Sequence, residues 1–233
     1  MADNTIVLGL GGSILAPDGV DTGYLSSFQN TIAEYLEADA SRRIIIVVGG
    51  GKLARDYQLA FETVLKGSGE DEAKDWIGIA ATKLNAQLVK AVFGELCSNE
   101  VVVDPTADID FTGRVLIASG WKPGFSTDFD AVLLAERFGA PVLVNLTDIE
   151  RVYTADPKVD VEAKPIEAID WQKFRSLVGD EWTPGKKTPF DPVASRKAQE
   201  IHLEVKSILG TDNNNLRRLL NGDPFLGTSI GPD

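Results

Sequence analysis

The stretch Ile44 to Tyr57, IIIVVGGGKLARDY, constrains this chain more than any other. It opens as an unbroken apolar run of β-branched residues, which is how a strand buried on both faces of a parallel sheet reads. The run stops at Gly49, Gly50 and Gly51, and a helix-prone segment carrying Lys52 and Arg55 follows. Strand, glycines and helix start together present backbone N–H groups to an anion. Glycine lets a ligand approach the backbone closely, and Arg55 adds a planar, permanently charged fork suited to phosphate. The same residues also describe an ordinary tight strand-to-helix turn, so the rest of the chain has to decide between the two.

Apolar strands and periodic helices alternate throughout. Thr5 to Leu10 reads as a first buried strand, ending at Gly11, Gly12 and Ser13. Tyr24 to Ala38 has helical periodicity through Leu25, Phe28, Ile32, Tyr35 and Leu36. The glycine turn leads into a helix from about Lys52 to Leu65, and Asp75 opens a long helix with Ile77, Ala81, Leu84, Leu88 and Val92 as its apolar stripe. Short strands are expected at Val101 to Val103, Val115 to Ser119, Val142 to Asn145 and Leu203 to Ile208, with a small edge strand at Gly227 to Ile230. Helices are expected from Asp128 to about Phe138 and over Trp171 to Leu177, Asp191 to Glu200 and Leu216 to Leu220, and TPGKKTPF before Asp191 reads as a loop. This order predicts an α/β fold, a three-layer αβα sandwich with a mainly parallel central sheet. No linker interrupts it, so residues 1–233 read as one domain.

Composition narrows the chemistry. Cys97 is the only cysteine and His202 the only histidine. One of each rules out an intrachain disulfide and makes a Cys/His zinc site or a histidine-based triad implausible within one chain. The formal net charge of −12 argues against nucleic-acid binding, which needs a basic face. A nucleotide remains compatible, because local N–H groups and a few Lys or Arg can oppose the global field. No apolar run reaches membrane-spanning length and MADNT is no signal peptide, so a cytoplasmic protein without membrane partners is expected.

Four loops follow strand ends: Gly11-Gly12-Ser13, Gly49-Gly50-Gly51, Gly120 to Thr127 and Thr147 to Asp156. In an open α/β sheet, ligands bind beyond the carboxyl ends of the strands. Glycine- and hydroxyl-bearing loops on that one edge describe a phosphate-rich site. None of them is a GxxxxGK[ST] loop, and no GxGxxG is present.

The stretches GLGGSIL (9–15), VVGGGKLARDY (47–57), DWIGIAATKLNAQL (75–88), GWKPGFSTDFDAVLLAE (120–136), NLTDIERVYTADPK (145–158) and DPVASRKA (191–198), with GTSI near the end, cover nearly the whole chain. In this order they resemble the amino-acid kinase superfamily, and within it the archaeal type of uridylate kinase. The resemblance implies the amino-acid kinase fold, with an acceptor-binding lobe over about 1–140 and an ATP-binding lobe over about 141–233. It implies ATP-dependent phosphoryl transfer to UMP, with Mg²⁺ carried on ATP and no metal site of the protein's own. It also implies a homo-oligomer, a hexamer, for which the helix Tyr24 to Ala38 is a candidate interface.

Residue by residue, the resemblance puts Gly11 and Gly12 against the ATP phosphates. Gly50 and Gly51 would contact the acceptor phosphate and the transferred group, with Arg55 close by and Lys52 adding charge. Asp75 would accept from the ribose hydroxyls of UMP, although it could equally cap its helix. Gly120, Trp121, Lys122, Pro123, Gly124, Phe125, Ser126 and Thr127 would wrap the monophosphate. Thr147, Asp148, Tyr153 and Asp156 would hold ATP. Asp191 matches the aspartate that organises the reaction centre, which suits a reaction that needs positioning and charge compensation more than covalent chemistry.

Three departures stand out. The family's usual lysine before the first glycine pair is Gly9 here. Its asparagine, aspartate and glycine before the tyrosine are Asp148, Glu150 and Arg151. Trp121, Lys122 and Phe125 occupy places where smaller or polar residues are commoner. Two other readings therefore accompany the kinase reading. One is a kinase of another small phosphate or carboxylate acceptor, although isopentenyl phosphate kinases use a histidine near the glycine loops and His202 lies far from them in sequence. The other is a non-catalytic nucleotide or oxyanion binder of the same fold, like the molybdenum storage protein.

Overall fold

The computed structural model describes residues 4–157, 159–179 and 188–231. In chain order the elements are β1 (Asn4–Leu10), α1 (Gly12–Leu15), α2 (Thr22–Glu37), β2 (Arg42–Val48), α3 (Gly51–Val64), α4 (Asp71–Phe93), β3 (Val115–Ala118), α5 (Thr127–Phe138) and β4 (Val142–Thr147). Then follow β5 (Val152–Tyr153), β6 (Pro165–Ile166), β7 (Ala168–Asp170), α6 (Trp171–Val178), α7 (Pro192–Glu200), β8 (Glu204–Leu209), α8 (Asn213–Leu220) and β9 (Thr228–Gly231).

The isoleucine run explains the layering. Side chains of a strand alternate between the two sheet faces. Ile44, Ile46 and Val48 join one core with Phe28 and Ile32 of α2 and Ala86 and Val89 of α4. Ile45 and Val47 join a second core with Ala131 and Leu134 of α5 and Ala194 of α7. Both faces are covered, which gives the three-layer αβα sandwich expected from the sequence. The seven-stranded sheet has the order β3-β2-β1-β4-β8-β9-β7. It is parallel from β3 to β8; β9 runs antiparallel to β8, and β7 parallel to β9. The carboxyl ends of β1, β2, β3 and β4 therefore share one edge.

Several expectations need correction. The long helix starts at Asp71, with Glu70 at its N-cap, so Asp75 lies in the second turn and caps nothing. Its inward face is Ile79, Ala81, Thr82, Asn85, Ala86, Val89 and Phe93, while Leu84 is 62% exposed. Polar Thr82 and Asn85 on the buried face hid the true stripe from an apolar-only reading. Val101 to Val103 is no strand; Val102 makes a single bridge to Ala118. The C-terminal strand is not an edge, because β7 adds outside it. With only three residues, β7 carries too little alternation to be read from sequence. The apolar face of α2 is spent inside the fold, since Leu25, Phe28, Ile32 and Leu36 are buried in the core. Only its polar face is left open to solvent. Of the loop before Asp191, residues 183–187, with Lys186 and Lys187, lie outside the described residues.

Candidate active site

The glycine turns after β1 and β2 touch backbone to backbone. A Cβ on Gly12 would stand 2.0 Å from the Gly51 nitrogen, and one on Gly49 2.5 Å from the Gly12 nitrogen. Gly51 also has φ +64°, in the left-handed region that favours glycine. The turn after β1 is fastened to β4 through Gly11 N–H donating to the Leu146 carbonyl at 3.1 Å. Three strand ends thus converge at one point. Gly9 is different: a Cβ there would meet nothing closer than Asn145 Oδ1 at 3.6 Å. Crowding does not require glycine at position 9.

Asn85, buried on α4, aims the β2 turn. Its Nδ2 donates to the carbonyls of Gly49 at 2.8 Å and Gly50 at 3.1 Å. In a trans peptide the N–H points opposite to the C=O, so the N–H groups of Gly50 and Gly51 are turned away from α4. These are first-turn donors of α3 with no partner in their own helix. They are oriented for an anion before any ligand arrives.

Beside them lies a cleft of about 260 Å³, lined by Gly50, Gly51, Ala54 and Gln58 of the turn and α3, by Asp75, Gly78, Ile79 and Thr82 of α4, and by Gly120 and Phe125 to Thr127. The loop 120–125 closing it is held by three backbone donors. Gly120 N–H donates to Thr82 Oγ1 at 2.9 Å, Trp121 N–H to Asp130 Oδ2 at 3.1 Å, and Gly124 N–H to Asp75 Oδ2 at 2.9 Å. The rings of Trp121 and Phe125 sit 5.3 Å apart, those of Phe125 and Phe129 4.8 Å apart, and the Lys122 ammonium lies 3.8 Å from the Trp121 ring centre. Ser126 caps α5 by accepting from Phe129 N–H.

Asp191 caps α7, accepting from Ala194 N–H at 2.7 Å. Its own N–H donates to Asp128 Oδ2 at 3.0 Å. Burial raises the Asp191 pKa, opposed by the N–H groups it accepts from and by the Ser126 side chain. Desolvation, and then the Asp191 charge, push Asp128 up to about 7. Asp130 also rises to about 7, chiefly through desolvation. Ser126 lines the cleft and its side chain also acts on Asp191, so the cleft and Asp191 adjoin at the start of α5.

On the other side of β1, Thr147 ends β4, its hydroxyl 3.4 Å from Asp148 Oδ1, and Tyr153 lies on β5 opposite Pro165 of β6. Arg151 pairs with Glu167 at 3.1 Å. Lys52 Nζ pairs with Asp56 at 2.5 Å, and Arg55 is exposed, reaching the Pro17 carbonyl at 3.4 Å. Among the described residues no group of three or more His, Cys, Asp or Glu could hold a metal ion.

A family model described as the amino acid kinase family matches residues 4–207. The chain belongs to the amino acid kinase family. A uridylate kinase of Methanospirillum hungatei is 34% identical over 230 residues, covering 97% of this chain and 94% of that one. Among solved structures, the uridylate kinase of Archaeoglobus fulgidus superposes with a TM-score of 0.82 at 32% identity, over 97% of this chain and 99% of that chain. A UMP kinase structure from Bacillus anthracis shares the fold, with a TM-score of 0.77 at 20% identity over 99% of this chain and 96% of that one.

Within this amino acid kinase, most of the residues that the resemblance assigned to the acceptor come together. Gly50, Gly51, Asp75, Gly120, Phe125, Ser126 and Thr127 line one cleft. Lys122 points onto the aromatic pair rather than into the cleft lining, and Lys52 is engaged with Asp56. Sequence reasoning missed Thr82, Asn85, Asp128 and Asp130 as site-building residues. Their signal was present: polar residues at positions that helix periodicity turns inward.

Proposed function

We propose that this chain transfers the terminal phosphoryl group of ATP to UMP, giving UDP in pyrimidine nucleotide synthesis. The observation that carries the reading is the cleft that Gly50 and Gly51 line together with Asp75, Gly120 and Phe125 to Thr127, beside a glycine turn whose carbonyls Asn85 holds. The amides and Arg55 suit the acceptor phosphate, and Asp75 suits ribose hydroxyls. Gly11, Gly12, Thr147, Asp148, Tyr153 and Asp156 would serve ATP, which brings Mg²⁺ on its phosphates. Phosphoryl transfer passes through a transition state with charge spread over the moving group, and preorganised donors stabilise it without reorganising. Lys52 and Arg55 would add charge there, and Asp191, fixed between Asp128 and the α7 amides, would hold the centre's geometry. We place the enzyme in the cytoplasm as a homo-oligomer, a hexamer. Tyr57, Val64, Trp76 and Leu84, apolar residues exposed on α3 and α4, support association.

A second reading, a nucleotide or oxyanion binder without turnover, draws on Gly9, which stands where the family usually has a lysine and where crowding does not require glycine. A phosphoryl-transfer assay with MgATP against UMP, CMP, dUMP and no acceptor separates the two. UDP formation with UMP in clear excess over the others is expected. Tight nucleotide binding without turnover would favour the binder.

A further inference from the structure

Asp130 is a carboxylate at 0% exposure on α5. Buried carboxylates are rare unless they do something for the fold or the site. No cation pairs with it among the described residues. Its Oδ1 has no hydrogen-bond partner, and its Oδ2 accepts one bond, from Trp121 N–H at 3.1 Å. The neighbouring charges that reach it, Asp128 and Asp104, are both negative and disfavour its ionised form. A side chain kept at such expense for one bond marks that bond as the purpose.

The bond sits at a lever point. Trp121 follows Gly120, which Thr82 holds, and its ring packs on Phe125, which lines the acceptor cleft. Gly124, on the far side of the loop, is held by Asp75. Thr82 and Asp75 both come from α4. Asp130 is the one of these three anchors that comes from α5, the helix whose start also holds Asp191. We infer that Asp130 is a positioning residue for the acceptor, setting the Trp121–Phe125 wall against the nucleoside monophosphate through the Trp121 backbone N–H. It touches neither substrate; it fixes where the wall stands relative to the reaction centre.

The inference rests on the reading of this cleft as the UMP site, and the test separates the two. Parent, Asp130→Leu and Asp130→Asn proteins are assayed with UMP and MgATP varied in turn. Leu is close in size and removes the acceptor, whereas Asn keeps an oxygen for Trp121 N–H. Losing one such buried bond is worth about tenfold, so Asp130→Leu should raise the KM for UMP about tenfold with the KM for MgATP unchanged. Asp130→Asn should stay within about threefold of the parent. A merely structural role would move both constants together or neither, and that result overturns the inference. Absence of UMP turnover in the parent would instead overturn the UMP reading. Should Asp130→Leu fail to fold, amide hydrogen exchange of the parent decides. The Trp121 amide protected without UMP supports the anchor, and exchange at the rate of an open loop overturns it.

Discussion

The two sides of the site are built differently. On the acceptor side, side chains reach for the backbone: buried Asn85 takes two carbonyls, buried Thr82 and Asp130 take two N–H groups, and half-buried Asp75 takes a third at the surface. On the donor side the described contacts are mostly backbone pairs and exposed ion pairs. Strands β5 and β6 are two residues each, Thr154 N–H donates to Lys164, and Arg151 meets a Glu167 side chain that is 79% exposed. Buried bonds occur here too: Val152 N–H donates to Thr228 Oγ1, and Trp171 Nε1 to the Leu203 carbonyl. Buried hydrogen bonds fix geometry because breaking one leaves a desolvated group unpaired, whereas exposed pairs exchange with water at little loss. The acceptor side is therefore preorganised by particular side chains, and the donor side tolerates their replacement. This difference predicts which kinetic constant each substitution moves.

The largest effect lies where the sides join. Gly12→Ala forces a methyl to within 2.0 Å of the Gly51 nitrogen, so the interlocked turns must separate. Activity should fall below detection, and crude thermal unfolding should shift downward as well. A Gly12→Ala enzyme with parental KM values would show that the two turns are independent.

Asp191→Asn comes next. Asn caps a helix about as well as Asp, so the fold should stand. If Asp191 organises the reaction centre as proposed, its carboxylate is lost and kcat should fall by about 10² or more. The KM values for UMP and MgATP should change little. A loss below about threefold would reduce Asp191 to its cap.

Asp75→Asn tests one side alone. The amide can still accept from Gly124 N–H, so the loop stays closed, but the charge that Asp75 is proposed to offer ribose hydroxyls is gone. Hydrogen bonds to a charged group are worth roughly 1.5–3 kcal/mol, so the KM for UMP should rise by about tenfold or more and that for MgATP should not. Equal rises in both would assign Asp75 to structure.

Acidity supplies a stability counterpart. Burial raises the pKa values of Asp128 and Asp130 from an ordinary 3.8 to about 7. A carboxyl whose folded pKa is raised binds its proton more tightly when folded, so its stabilising contribution is complete below 3.8 and is lost as pH rises through about 7. The melting temperature of the ligand-free protein should fall across that window, and Asp130→Asn should flatten the fall. A melting temperature that climbs from pH 4 to 7 would contradict the burial of these groups.

The sequence spelled out the sheet because its information is local. The isoleucine run of β2 and the glycines after it are readable by period and residue type alone. The cleft was legible where glycine, proline and hydroxyls punctuate it, at Gly50 and Gly120 to Thr127, and at Asp75 only through the family resemblance. Asn85 and Thr82 were not, because inside α4 they look like breaks in an apolar stripe. Their meaning depends on a turn some 35 residues earlier in the chain, reached by Asn85 Nδ2, and on a loop 38 residues later, reached by Thr82 Oγ1. Asp130 was not singled out in the sequence at all. Nothing in FSTDFDAV says that α5 rotates that residue inward while Glu136 of the same helix pairs with Lys197 at the surface.

The smallest effect probes the donor side, and it is the one that can break the comparison. Arg151 stands where the family usually has a glycine, with an Nε that finds no partner and a guanidinium that meets the exposed Glu167 carboxylate. If exposed pairs hold this side loosely, Arg151→Ala should lower stability by no more than about 1 kcal/mol. The KM for MgATP should move less than about threefold and the KM for UMP not at all. Glu167→Ala should behave alike, since each removes the same weak pair. Suppose instead that Arg151→Ala raises the KM for MgATP tenfold while Glu167→Ala does nothing. Arg151 would then be serving ATP phosphates rather than Glu167, and a cation would have entered the donor loop in a chain that lacks one at Gly9. The donor side would prove as dependent on one side chain as the acceptor side is on Asp75.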